Sequence, residues 1–300
     1  MSGGNAMRVT DQSIYDAAQS SIARARERHA RATAVTSTGS RLQHPGDDPA
    51  AAGLVATHSV EEARFQSISD GAARASDELA AADGALGSLT DALSRARELA
   101  VQLANATYSA AERTAAAGEV TSLLHQAVAA LNTEHGGRYL FGGAKDGAPP
   151  FDQAGAYSGD GAVRQVEIAP GVYQAASVRA DVAVKGGGGG VDALATLTAL
   201  AAALSGDDVP GIRSALGPLD TAITQVTQAR SQAGTAMSVM DTARATSTQA
   251  RDGARAATAA LVNADPFESA TQLALAERAL EAALAASSRS FKPTLLDVLR

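Results

Sequence analysis

The chain has 300 residues, a formal net charge of −7, no cysteine, no tryptophan and only 3% aromatic residues. It is long enough for one large or two smaller domains. The acidic balance argues against nucleic acid as main partner, no run approaches the roughly 18 apolar residues of a membrane span, and thiol chemistry is excluded. Alanine dominates the apolar share; it has the best helix propensity and buries little area. The composition therefore predicts long helices packed along narrow seams.

Residues 1–6 (MSGGNA) read as a cloning remnant, with Met7 as the native start, and no cleavable secretory signal pattern follows. From there Ile14, Ala18, Ser21, Ala25, Arg28, Ala32 and Val35 step by three and four through small or polar residues, which predicts a thin N-terminal helix. Arg24, Arg26, Arg28 and Arg31 surround Glu27 and His29. That face is either solvated, opposed to the acids Glu268, Glu277 and Glu281 of a partner helix, or directed to DNA or a membrane surface. Asp47-Asp48-Pro49 reads as a helix start, with capping aspartates and proline at the first helical position. Arg41 is expected to pair with Asp47 or Asp48 and to fix the bend that closes an assembly segment over residues 7–58.

Two seams follow. Leu79, Ala82, Leu86, Leu89, Leu93, Ala96, Ala100 and Leu103 hold an a/d step over 76–106. Arg113, Ala117, Val120, Leu124, Ala127 and Leu131 continue it over 109–135, after a break at which Ser109 and Glu112 form a capping box. The break predicts an antiparallel hairpin or one bent helix. Between Gly136 and Gly190 the heptads stop. Tyr139-Leu140-Phe141, Val163–Ile168, Val172–Val178 and Asp181–Val184 read as short strands, with turns at Asp160-Gly161 and Pro170-Gly171. Gly186–Gly190 reads as a flexible spacer. This is a small β module over 136–190, inserted between helical body segments 59–135 and 191–262.

The longest seam runs from Ile212 through Leu216, Leu219, Ile223, Val226, Arg230, Ala233, Met237, Met240, Arg244, Ser247, Arg251, Ala254 and Thr258 to Leu261. At about 1.5 Å per residue it predicts a rod of roughly 75 Å, with both chain ends at one end of it. The stripe turns polar after Met240, so the helix needs a partner there. Asp265 and Pro266 read as N-cap and first helical residue, with Glu268 reaching back. Ala270, Leu273, Glu277, Leu280, Leu284 and Phe291 then form the stripe of a C-terminal assembly helix over 263–300.

No catalytic constellation emerges. His29, His44, His58, His125 and His135 lack metal-ligand spacing. The pairs Asp47-Asp48 and Asp207-Asp208 precede prolines and helices, which suits capping. The glycine run lacks the ending of a phosphate loop, and no Gly-x-Ser-x-Gly elbow occurs. The reading is a non-enzyme without cofactor or metal. What remains is association. A seam of alanine and serine excludes little area at about 25 cal/mol per Å², against about 1–2 kcal/mol per ordered residue. The ends should fold as they pack against neighbours, and protease should cut before about Ser59 and after about Val262.

The motifs carry a resemblance. Met7-Arg8-Val9-Thr10 with Ile14-Tyr15, Thr38-Gly39-Ser40-Arg41-Leu42, Pro45-Gly46-Asp47-Asp48-Pro49-Ala50, Arg138-Tyr139-Leu140-Phe141-Gly142-Gly143 and Tyr157-Ser158-Gly159-Asp160 resemble flagellin-type axial proteins. So does the terminus Lys292-Pro293-Thr294-Leu295-Leu296-Asp297-Val298-Leu299-Arg300. Within that group the Asp-Asp-Pro and Leu-Leu-Asp forms are most similar to the flagellar hook-associated protein 3 family. Thr38, Gly46, Thr294 and Val298 depart from its pattern.

The resemblance implies a mainly α, long-helix bundle with a small inserted β domain. It implies a flagellar part outside the cell, secreted without a cleavable signal peptide through type III export. The implied partners are hook-associated protein 1, flagellin, copies of itself in a ring and an export chaperone; nucleic acid and membrane insertion are not implied. Ile14, Ala18, Ala25, Val35, Leu273, Leu280, Leu284 and Phe291 are the expected assembly contacts. A filament subunit, or a coiled-coil DNA- or signalling-associated protein, are the rival readings.

Overall fold

The structure is a computed structural model that describes residues 4–105 and 107–290, and within them all side chains except those of residues 4–12, 14, 289 and 290. Seven helices and four short strands occur among the described residues: α1 (Gly4–Thr38), α2 (Pro49–Leu103), α3 (Ala110–Leu131), β1 (Glu134–His135), β2 (Arg138–Tyr139), β3 (Gln165–Ala169), β4 (Val172–Ala175), α4 (Ala180–Ala183), α5 (Ala193–Ser205), α6 (Val209–Val262) and α7 (Pro266–Ser290). They fall into two compact units, one of Ala63–Arg251 and one of Met1–Glu62 with Asp252–Arg300. The fold is mainly α with a small β part.

In the Ala63–Arg251 unit, every residue of the first seam from Leu79 to Leu103 is buried, as is every residue of the second from Arg113 to Leu131. α2 and α3 form an antiparallel hairpin: Arg95 Nε reaches Glu119 at 2.7 Å, while Arg113 lies against the end of α2. α6 runs antiparallel to α2, since Arg230 forks onto Asp83 (2.9 and 3.2 Å), Ser76 meets Asp241 and Ser69 meets Thr248. The third seam holds through Met240, departs at one position and resumes at Ser247 and Ala254, both buried. Arg244 is exposed, and Ala243 is buried in its place. A guanidinium on that face would need a partner that alanine does not.

Ser109 caps α3 with both halves of a capping box in place. Glu112 N–H donates to Ser109 Oγ (3.3 Å), and Ser109 N–H donates to Glu112 Oε2 (2.7 Å). The backbone N–H of Ser109 holds the Glu112 carboxyl below its ordinary value of 4.5. A lowered folded value means stability that is fully present above the ordinary 4.5 and lost as pH falls from there through the lowered folded value. Glu112→Gln keeps a neutral cap, so its urea midpoint should lie below that of the parent at pH 7 and converge with it on acidification. Two parallel midpoint curves would remove the charge from the account.

The same loop ends α2 through arginines. Arg113, whose side chain is 5% exposed, donates to the carbonyls of Leu103 (3.1 Å) and Asn105 (3.0 Å) and pairs with Asp207. Arg213 donates to Ala104 O (3.1 Å). Cations on the last carbonyls of a helix satisfy orphan acceptors and oppose the helix dipole. A buried arginine in an apolar seam therefore has a definite function: it ends one helix while packing another.

α5 has no counterpart among the sequence seams. Leu194, Leu197, Leu200 and Leu204 are all fully buried in the central cluster with Leu86, Leu93 and Ile212. Asp192 caps it, accepting from Leu194 N (3.1 Å) and Ala195 N (3.0 Å).

The β part is smaller than the sequence predicts. β1–β2 and β3–β4 are separate antiparallel hairpins. Tyr139 ends β2 before Leu140 and Phe141, the pairing in the second hairpin spans 165–175, and Asp181–Val184 is a helical turn rather than a strand. Arg179 pairs with Asp181 and Ala183 N–H returns to Arg179 O (2.8 Å), so local bonds replace a ladder. Gly186–Gly190 is a hydrogen-bonded turn, not a bare spacer. Gly187 N–H reaches Asp181 O (2.8 Å), Gly190 N–H reaches Gly186 O (2.9 Å), and Gly186 sits at φ +73, which disfavours a side chain. Buried Phe141 and Phe151 anchor the module. The Tyr157 hydroxyl lies 2.9 Å from the carbonyls of Phe141 and Asp160, and burial pushes its pKa up to about 12. Glu78 of α2, with a 13% exposed side chain, takes Arg138 (3.1 Å) and Arg164 together.

Candidate assembly surfaces

In the other unit α1 packs against α7. The register is antiparallel, because Thr36 Oγ1 donates to Ser269 O (3.2 Å) and His29 Nε2 lies 4.0 Å from Glu277. The alanine step of α1 lets the backbones approach without supplying large side chains.

The bends on either side combine local caps with bonds that tie residues 39–41 to residues 261–264. Gly39 takes φ +66 and its carbonyl accepts from Ala264 N–H (2.9 Å); Ser40 and Asn263 form an antiparallel bridge. Arg41 donates from its backbone to Val262 O (2.7 Å) and from Nη2 to Leu261 O (2.8 Å), while Nη1 lies 3.5 Å from Asp48. Asp47 accepts from the N–H groups of Gln43 (3.1 Å) and His44 (2.9 Å), and the His44 bond holds its carboxyl below the usual range. Asp48 accepts from Ala51 N–H (3.0 Å), and Pro49 opens α2. Asp265 accepts from Phe267 N–H (2.8 Å) and Glu268 N–H (3.3 Å), and Pro266 opens α7. Arg41 thus touches α6 carbonyls as well as Asp48, a contact that no sequence spacing signals.

The expected contact residues divide. Ala25 is buried; Ala18, Val35, Leu273 and Leu280 are half-buried; Leu284 is 43% exposed. The side chain of Ile14 and the whole of Phe291 lie outside the described residues. So does the terminal motif from Lys292 to Arg300.

The two units differ sharply in what they bury. Among the described residues of the terminal unit, the buried positions are Ala25, Ala51, Ala254 and Ser269. The largest fully buried side chains, from Leu79 to Ile212, all belong to the other unit. Meanwhile the terminal unit exposes Phe267 (86%), Val60 (71%), Leu275 (54%) and Leu54 (52%). Val35 and Leu275 face a groove of about 610 Å³ between α1 and α7, lined also by Arg28, Arg31 and Arg41 and by the acids Asp265 and Glu268. The basic run is partly answered within the chain, as Arg31 lies 3.6 Å from Glu27. Among the described residues no group of three or more His, Asp or Glu side chains could hold a metal ion, and no helix is long and apolar enough to cross a membrane.

Residues 9–146 match the family profile described as the bacterial flagellin N-terminal helical region. Flagellar hook-associated protein 3 of Salmonella typhimurium is 31% identical over 155 residues, which are 51% of this chain and 49% of that protein. The chain thus spans about half the length of the curated relatives it matches. A flagellar hook-associated protein of Vibrio parahaemolyticus superposes with a TM-score of 0.65 at 19% identity, over 72% of this chain and 99% of that one. FlgL of Bacillus cereus superposes with a TM-score of 0.56 at 22% identity, over 66% and 95%. The resemblance carried by the sequence motifs and that carried by these relatives coincide on flagellar hook-associated proteins, and the shared fold is the flagellin-like long-helix bundle.

Proposed function

We propose that this chain is a structural subunit of the bacterial flagellum that joins hook-associated protein 1 on the hook to flagellin in the filament. It stands outside the cell in a ring of copies, after type III export with a chaperone and without a cleaved signal. Its chemistry is association. α1 and α7 complete their folding as they pack against neighbouring subunits.

The observation that carries this reading is the burial inventory of the terminal unit: three alanines and a serine buried, with Phe267, Val60, Leu275 and Leu54 outside. Such a seam cannot offset about 1–2 kcal/mol of backbone entropy per residue over two long helices. Each neighbouring molecule adds apolar contact without a further intramolecular ordering cost, so folding and assembly become one equilibrium. Names of the relatives support the location; the fold supports the mode of association.

The test is genetic. Cells lacking the gene should carry hooks without filaments and shed flagellin into the medium. The full chain should restore filaments, and a chain lacking residues 7–48 and 263–300 should not. Restoration by the truncated chain would end the coupled-folding mechanism, and normal filaments in the deletion strain would end the junction role. Growth of long homopolymers from purified chain on seeds would reassign it as a filament subunit.

A further inference from the structure

We infer that the groove between α1 and α7 receives the first four turns of α2 from a second copy of this chain, with Leu54 entering the Val35–Leu275 pocket and Glu61 meeting Arg28. This rests on the assembly role just proposed and names the contact that would build it.

The argument is one of matched spacing and charge. On α1, Val35 and Arg28 are seven residues apart and line the same groove. Seven residues are two helical turns, about 10.5 Å, so the two lie on one face. On α2, Leu54 and Glu61 are also seven residues apart. Leu54 is 52% exposed and the Glu61 side chain is 51% exposed. One helix therefore offers an apolar pocket with a cation two turns away, and the other an apolar knob with an acid two turns away. Val35 to Arg28 runs toward the N-terminus while Leu54 to Glu61 runs toward the C-terminus, so the two helices meet antiparallel.

The local partners leave this contact available. Arg28 donates from Nε to Arg24 O (3.3 Å), which leaves the outer guanidinium nitrogens to a carboxylate. Glu61 has the half-exposed His58 at 3.1 Å, an exposed pair three residues apart that competes weakly. Knob and pocket sit on different elements, so one copy can hold the knob of a second while its own knob enters a third. Repeated in that heterologous way the contact generates a closed ring or an open helical row, whereas a reciprocal exchange between two copies would stop at a dimer.

Because the chain contains no cysteine, an introduced thiol reports the contact cleanly. Full-length Leu54→Cys and Leu275→Cys chains are purified, mixed and oxidised. The mixed disulfide dimer should exceed by about tenfold that from Val60→Cys with Leu275→Cys. Adding Arg28→Glu to the Leu275→Cys chain should lower the yield about tenfold, and adding Glu61→Arg to the Leu54→Cys chain should then restore it. A yield no higher than the Val60→Cys control, or one indifferent to Arg28→Glu, overturns the inference. The result is independent of the cellular role: cross-linking with normal filaments in the deletion strain would sink the junction reading alone. Absent cross-linking with full dependence on the gene would sink this contact alone.

Discussion

Limited proteolysis of the isolated chain should trim it to a resistant fragment close to residues 63–251, with the first cuts between Arg24 and Arg41 and at Arg278. Proteases cleave locally opened states, and opening costs least where few apolar contacts are lost. The Ala63–Arg251 unit would expose Phe141, Phe151, thirteen buried leucines and four buried valines on opening; the terminal unit would expose three alanines and a serine. A gap of a few kcal/mol between them corresponds to terminal cleavage at least about a hundredfold faster. Mixing in an assembled neighbour should slow that cleavage, since binding draws the ends into their ordered state. Equal cleavage rates at Arg28 and at Arg97 would contradict the whole account of thin ends on a solid body.

The second expectation concerns that body. Leu197→Ala should destabilise the Ala63–Arg251 unit by about 3–5 kcal/mol, as much as Leu89→Ala. Both side chains are fully buried in one cluster, and truncation there loses transfer energy and leaves a cavity. Urea unfolding followed by circular dichroism would read the change as a midpoint drop of about 1–5 M, given slopes of about 1–3 kcal/mol per molar. A loss below about 1 kcal/mol for Leu197→Ala, with the full loss for Leu89→Ala, would make α5 an appendage rather than a core layer. Terminal contacts should be indifferent to both changes.

The pairing of these two experiments separates what periodicity can and cannot reveal. The seams of α2 and α3 were legible because leucine recurs there at steps of three and four, and a helix that keeps such a step has only one face to bury. Ser109 with Glu112, Asp48 with Pro49 and Asp265 with Pro266 were legible because capping is a matter of neighbours in sequence. The helix α5 was less legible: Leu194, Leu197, Leu200 and Leu204 step by three and four, but ten of its thirteen residues are alanine or leucine, so the stripe has little polar face to set it off. Asp181–Val184 looks like a strand by alternation, but Ala183 N–H returns to Arg179 O and Val184 N–H to Ala180 O, which closes a helical turn instead. The glycine run carries no signal that Gly187 N–H will donate to Asp181 O, or that Val191 N–H just after it will donate to Gln225 Oε1.

The candidate surfaces divide in the same way. Sequence alone indicated that the ends are poor in large side chains, and it placed Ala25, Val35, Leu273 and Leu280 on stripes. It could not tell which side of each stripe the chain covers with its own partner helix. Arg41 illustrates the limit: its ion pair with Asp48 spans seven residues, whereas its bond to Leu261 O spans 220. The sequence by itself determined the long helical seams, the caps at Ser109, Asp48 and Asp265, the break between α2 and α3 and the poverty of the ends, because these depend on propensity, period and composition. Only the tertiary structure decided that α5 joins the core, that Arg113 ends a helix it does not belong to, and that α1 and α7 leave a groove beside an exposed leucine. Those features arise from contacts between distant segments, and their energies do not exist until the segments meet.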